Sequence, residues 1–173
     1  MRALCLAVLA ATGFAAGTPA SETGTLTVDT KKVTLQSSSA VAYPGGTGRF
    51  VSVLLSDKPP NPKTFRKYTR IGAGERYVPG TFEGAWASMH VEKGFSGFTF
   101  SMDATHRVLT NQILLGGQAG SFSLSSDDLV VEITSASPRL KGRIRTLQPV
   151  LDLGSHKVSL DATFDVRVSE AGR

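Results

Sequence analysis

The chain has 173 residues, of which 40% are hydrophobic and 19% are charged, so it is long enough to form one domain with a sizeable core. This balance excludes a disordered, charge-rich tail protein. Lysine and arginine number 19 against 14 aspartates and glutamates, a net charge of +5 that is weaker than nucleic-acid-binding arms usually carry. We therefore expect one folded domain. Charge alone decides little about its partners, but nucleic acid is not expected, because an exported protein seldom meets it and the leader described next predicts export.

The first 20 residues have the pattern of a secretory signal peptide. Met1 and Arg2 give a positive start, residues 3–17 form an apolar run, and small residues follow. We expect cleavage after Ala20, with cleavage after Gly17 as the alternative. The apolar run is shorter than the ~20 residues of a spanning helix, and no later stretch approaches that length. The mature chain is therefore expected to be periplasmic or secreted, without a transmembrane segment.

The cysteine content indicates in which cellular compartment the protein resides. The single cysteine, Cys5, lies inside the leader, so the mature chain cannot form a disulfide. Secreted animal domains more often carry disulfides, and this chain also has no Asn-X-Ser/Thr glycosylation site. These two features favour the bacterial envelope.

Alternation of polar and apolar residues dominates the mature chain. It is clearest in residues 157–168, where every second residue is apolar, as in a half-buried strand. Several further short runs of this kind are separated by glycine and proline turns. We predict an all-β fold for residues 21–173, a single antiparallel β-sandwich of about nine strands. Alternation does not fix strand pairing, so a barrel remains an alternative.

Residues 82–91 are predicted to form one of these strands, with the only tryptophan, Trp86, as a core anchor. Phe82 and Gly84 would share its face of the strand. No helical stripe of useful length is evident outside the leader.

Residues 58–81 interrupt this pattern. The segment is rich in proline and glycine and is predicted to be a long basic loop, with a short helix near residues 63–68 as an alternative. Cations with aromatic residues between them can bind an anionic, planar or sugar-bearing ligand through charge and stacking. A merely solvated loop is the competing interpretation. The ligand-binding candidates in this segment are Lys63, Arg66, Lys67, Tyr68 and Arg70.

A second basic feature lies on one predicted strand. We call it the basic ladder, and it consists of Arg139, Lys141, Arg143 and Arg145. Arg143 joins the ligand-binding candidates because such a ladder can bind phosphate groups of an anionic envelope component or an acidic protein partner. Alternatively, Asp161 and Asp165 on the following strand pair with part of the ladder and leave some positive charge over.

No motif for catalysis, metal binding or cofactor binding is present. The three histidines are far apart, and nucleophile elbows and phosphate-binding glycine loops are missing. We expect a non-catalytic binding module with no metal and no cofactor. Two alternatives remain: an exported hydrolase assembled from Asp57, Asp103 and His106, and a structural subunit joined edge to edge with other sheets.

Four short sequence segments carry a family resemblance. They are GTLTVD (24–29), VSVLLSDKP (51–59), LKGRIRT (140–146) and ATFDV (162–166). Together they resemble a loose group of uncharacterised bacterial exported all-β domains. The resemblance spans most of the mature chain, implies an exported all-β domain, and supplies no catalytic residues.

Overall fold

A computed structural model describes residues 23–45, 48–72, 80–118, 121–151 and 156–171. The predicted signal peptide lies outside these residues. Within them the chain forms twelve strands, two helices and one short 3-10 turn, Ser126–Asp128. The strands divide into two sheets that pack face to face, and the helices add a third layer.

The first sheet collects strands from both ends of the chain. Its members are β1 (Gly24–Val28), β2 (Lys31–Leu35), β8 (Leu129–Ser135), β9 (Leu140–Thr146), β10 (Val150–Leu151) and β11 (Lys157–Val166). They lie in the order β2-β1-β11-β9-β8, with β10 also paired to β11. All pairs in this sheet are antiparallel.

The second sheet is built mainly from the middle of the chain. Its members are β3 (Ser37–Gly45), β4 (Gly48–Ser56), β5 (Gly97–Met102), β6 (Val108–Leu114), β7 (Ser121–Phe122) and β12 (Val168–Glu170). The order is β12-β3-β4-β5-β6-β7, and only β12 with β3 is parallel among these pairs. The predicted strand 157–168 is thus divided at Arg167, where the chain passes from one sheet to the other.

The main core lies between the sheets and follows the predicted alternation. The inward residues of β11 are Val158, Leu160, Ala162, Phe164 and Val166, and all are buried. Across the sandwich, the ring of Phe164 lies 6.0 Å from that of Phe100 on β5. Because both sheets contribute apolar faces to one core, the prediction of an antiparallel β-sandwich is confirmed.

Two helices cover the outer face of the second sheet. They are α1 (Pro62–Gly72) and α2 (Thr81–Lys93). Phe82, Trp86 and Met89 of α2 form a second buried cluster with Tyr43 and Leu54 of the sheet below. Neither helix in the described ranges combines the length and apolar character needed to cross a membrane.

The prediction of a strand over residues 82–91 is wrong, because this segment is α2. Its buried residues recur at helical spacing, and Trp86 remains a fully buried anchor. Glycines at positive φ flank the helix, Gly80 at 96° and Gly94 at 62°, and the Gly94 amide donates to the carbonyl of His90.

The prediction of a continuous loop over residues 58–81 is wrong for residues 62–72, which form α1, and the short helix considered as an alternative is confirmed. Residues 73–79 lie outside the described residues. Asn61 caps the helix because its side-chain oxygen accepts the amides of Lys63 (3.0 Å) and Thr64 (3.3 Å). Pro62 follows at the first helical position, where its missing N–H is tolerated.

Gly142 on β9 is expected to tolerate no side chain. It pairs with Phe164, and a Cβ atom there would lie 2.5 Å from the Glu132 carbonyl oxygen and 2.9 Å from the Phe164 ring. Gly142→Ala should therefore lower the free energy of unfolding by about 1–3 kcal/mol, measured by urea denaturation. Gly84→Ala on the exposed side of α2, where a Cβ has open space, should raise it by up to about 1 kcal/mol. Equal stability of the two variants would contradict this account.

Candidate basic site on helix α1

Helix α1 presents two faces of different chemistry. Its four cations recur at i, i+3, i+4 and i+7, which confines them to an arc of about 100° around the helix. All four are exposed, and we call this set the basic face: Lys63, Arg66, Lys67 and Arg70. The charges extend over about 10 Å along the helix axis.

The opposite face of α1 holds the helix against α2. The ring of Phe65 stacks on Trp86 with centroids 5.5 Å apart and an interplanar angle of 22°. Tyr68 is buried and donates its hydroxyl to the carboxylate of Glu92. The predicted ligand role of Tyr68 is therefore not supported by its position, because this side chain anchors the helix from below.

Charges around Tyr68 are consistent with this anchoring role. Hydrogen bonding to Lys93 and then to Tyr68 lowers the pKa of Glu92 to about 2, so its carboxylate remains ionised. The bond to Glu92 in turn raises the pKa of Tyr68, which keeps the phenol protonated as a donor. The ammonium of Lys67 lies 5.2 Å from the centre of the Tyr68 ring, a cation–π contact at the border of the basic face.

The basic face carries unneutralised charge. None of the ion pairs among the described residues involves any of its four cations. Helix α1 has no acidic residue, so it contributes +4 to a chain whose net charge is +5. The rest of the chain is thus nearly balanced, and the excess charge is concentrated on one exposed helix face.

The basic ladder differs because its cations have partners. Arg143 makes a two-pronged contact with Asp161, at 2.7 and 2.5 Å. Asp165 pairs with Lys141 at 3.0 Å and with Arg139, and Glu132 pairs with Arg145 at 3.1 Å. The predicted cross-strand pairing is confirmed, and four cations against three carboxylates leave one charge over.

The pKa values of the ladder carboxylates follow from these contacts. The guanidinium of Arg143 lowers the pKa of Asp161, and Arg139 followed by Lys141 lowers that of Asp165. Arg143 itself lies outside α1, on the outer face of the first sheet. The structure therefore brings Lys63, Arg66, Lys67 and Arg70 together, but it does not add Arg143 to their face.

The residues considered for a hydrolase do not form one site. Asp57 follows β4, whereas Asp103 and His106 lie in the turn after β5, so the length of β5 separates them by about 17 Å. The Asp103 carboxylate accepts the amides of Thr105 (2.8 Å) and Arg107 (3.1 Å), which assigns it to the turn. In the ranges that the structure covers, no three His, Cys, Asp or Glu side chains gather closely enough to hold a metal ion.

One polar cluster was missed by sequence reasoning. Glu83 of α2 is fully buried and accepts the hydroxyls of Ser101 and Ser52, the latter at 3.2 Å. The Tyr43 hydroxyl lies 3.0 Å from that of Ser101. These four side chains are inaccessible to solvent, so the serines are not available to a substrate in this structure. The cluster joins α2 to three strands of the second sheet.

Comparisons with known proteins add no identification. No protein-family model matches the chain, and no curated protein and no solved structure matches it. The functional argument therefore depends on the geometry and charge of the site.

Proposed function

We propose that this protein is an exported, non-catalytic binding module of the bacterial envelope that captures a polyanionic component on the basic face of α1. One observation carries the proposal: four exposed cations at helical spacing share one face and take part in no ion pair among the described residues, although Lys67 is near enough to Glu92 to lower the pKa of that carboxyl. The basic ladder on the first sheet supports the proposal by contrast, because its cations are paired with carboxylates.

The anchoring of α1 favours binding as well. Phe65 and Tyr68 fix the helix on α2, so the backbone positions of the four cations are set before a ligand arrives. Each exposed ion pair is worth about 0.2–1 kcal/mol. Four such pairs to one polyanion would together contribute about 1–4 kcal/mol.

The test compares two variants with the same loss of charge. In the first, the four cations of the basic face are changed to glutamine. In the control, four exposed cations elsewhere are changed in the same way: Lys31, Lys32, Arg107 and Lys157. We expect the first variant to lose about 1–4 kcal/mol of affinity for polyphosphate in calorimetric titration at low salt, and the control to lose much less.

The salt dependence of polyphosphate binding provides a second test. Raising the ionic strength to 1 M shortens the screening length to about 3 Å, so binding through exposed charges should nearly vanish. Arg143→Gln should leave polyphosphate affinity close to that of the unmodified chain, because this side chain is already paired with Asp161. Equal losses in the two four-residue variants, or binding that resists salt, would reject the basic face as the site.

A further inference from the structure

A groove beside α1 carries a second set of binding groups. It is open to solvent, has a volume of about 300 Å³ and lies where α1 approaches β12, the edge strand of the second sheet. Besides the Asp165 carboxylate and two apolar residues, its lining has an aromatic ring, two guanidinium groups and three hydroxyls. They belong to Phe65, Arg139, Arg167, Ser38, Ser39 and Ser169.

One of the two guanidinium groups is free. Arg139 is engaged by Asp165, because it donates to both the side chain and the backbone carbonyl of that residue. Arg167 is exposed and takes part in no ion pair among the residues described. The groove therefore offers one unpaired, delocalised cation next to hydroxyl groups, an arrangement that suits a carboxylate or sulfate.

Phe65 distinguishes this groove from a simple charged surface. Its ring stacks on Trp86 and is only half-buried, so part of it faces the groove. An aromatic ring at this position can contact the apolar C–H face of a sugar, while the serine hydroxyls bond its hydroxyl groups. Polyphosphate has charge but no such face, and a neutral sugar has the face but no charge.

The shape of the surface favours an elongated ligand. A second groove of about 480 Å³ shares Ser38 and Asp165 with the first and is lined by Lys141 and Arg143. Phe65 enters the first groove from the side of α1 opposite the basic face, so the groove and the basic face lie about one helix diameter, roughly 10 Å, apart. Lys141 and Arg143 in the second groove are already paired with Asp165 and Asp161, so an elongated chain with repeated acidic groups would find its unpaired cations at Arg167 and on the basic face.

We propose that the polyanion bound by this protein is an acidic polysaccharide, with one sugar ring on Phe65 and its acidic group on Arg167. This inference rests on the proposed function, because it names the partner class of the α1 site. It extends that site to residues outside α1.

The test measures binding of three probes by the mature chain at low salt: a short oligogalacturonate, a neutral maltooligosaccharide of equal length, and polyphosphate. The variants are Arg167→Gln, with Arg107→Gln as its charge-matched control, and Phe65→Leu, which retains an apolar contact with Trp86. We expect oligogalacturonate affinity to fall roughly five-fold in Arg167→Gln and in Phe65→Leu. Phe65→Leu should lower oligogalacturonate affinity by a larger factor than polyphosphate affinity, because the weaker anchor of α1 affects both ligands whereas the lost sugar contact affects only one. Maltooligosaccharide should bind poorly throughout.

Two outcomes separate this inference from the proposed function. Oligogalacturonate affinity that is unchanged in both Arg167→Gln and Phe65→Leu overturns the polysaccharide groove. If polyphosphate binding is still lost in the variant of the basic face, the proposed function survives that result. Failure of both polyanions to bind the unmodified chain overturns both. Circular dichroism of Phe65→Leu verifies that α1 persists, and Arg167→Gln tests the groove without touching the helix.

Discussion

Replacing Trp86 with alanine is expected to lower the free energy of unfolding by about 3–5 kcal/mol, the largest effect we predict for a single substitution. Trp86 is fully buried on α2, stacks on Phe65 of α1, and lies 6.0 Å from the ring of Phe82. Its removal leaves a large cavity where the two helices and the second sheet meet. Urea denaturation followed by far-ultraviolet circular dichroism measures the change.

The same substitution should loosen α1 before the sandwich unfolds. Phe65 loses its stacking partner, whereas the core between the sheets is not touched. Amide hydrogen exchange should therefore quicken in α1 more than in β11. Ser88→Ala, on the exposed side of the same helix, is the control and should stay within about 0.5 kcal/mol of the unmodified chain. A loss below 1 kcal/mol in Trp86→Ala would contradict the described packing.

The first sheet of the sandwich could be predicted from the sequence because its strands face solvent on one side, so that polar and apolar residues alternate along them. In β11 each buried residue alternates with an exposed or half-exposed one, which is a strong signal of period two. Strand β3 of the second sheet lacks this signal, because both of its faces are covered around Val41 and Tyr43. Strands β10 and β12 are too short, at two and three residues, to produce a pattern.

The sequence predicts a strand over residues 82–91 instead of helix α2 because two periodicities fit the same residues. Phe82, Gly84 and Trp86 share a face at period two, whereas Phe82, Trp86 and Met89 share one at helical spacing. The glycines at 80 and 94 were the better signal, because they mark the two ends of a helix. The tertiary contact with the second sheet decides between the two interpretations, and a short window of sequence does not contain it.

The basic residues of α1 could be identified as a group, but their arrangement could not be evaluated until they were placed on a helix. Positions 63, 66, 67 and 70 have helical spacing, a signal carried by polar residues rather than apolar ones. Whether a cation on a strand is neutralised depends on the register of that strand with its neighbour and on which strand pairs along its other edge. Glu132 illustrates this, because β8 brings it to Arg145 from the side opposite β11.

The buried carboxyl of Glu83 leads to the second of the two large effects. Burial in the helix–sheet interface raises its pKa above the usual value of 4.5, and the bonds from Ser101 and Ser52 offset this only in part. Its second oxygen has no hydrogen-bond partner among the described residues. The side chains that face it carry hydroxyls, and hydrogen bonds with the backbone at Glu83 and Gly80 also lower its pKa. Tyr43 is the one titratable side chain in the cluster besides Glu83, and burial raises the pKa of that phenol also.

The ionisation of Glu83 should therefore make the free energy of unfolding decrease as the pH rises. In the unfolded chain this carboxyl ionises near pH 4.5, and in the folded chain it ionises at higher pH. Between these two values the folded state binds more protons, so the free energy of unfolding decreases from pH 4.5 up to the folded-state pKa. Below pH 4.5 the contribution of Glu83 to stability is fully present.

Glu83→Gln isolates this effect because glutamine is nearly the same shape and cannot ionise. We expect the variant and the unmodified chain to melt at similar temperatures near pH 4, and the variant to become the more stable of the two as the pH rises from 4.5 towards the folded-state pKa of Glu83. Paired carboxylates such as Asp161 and Asp165 have lowered pKa values and act in the opposite direction below pH 4, equally in both proteins. Calorimetric melting curves across this range provide the measurement. A gap in melting temperature that stays constant with pH would show that Glu83 titrates normally, and with it that α2 does not seal this carboxyl from water.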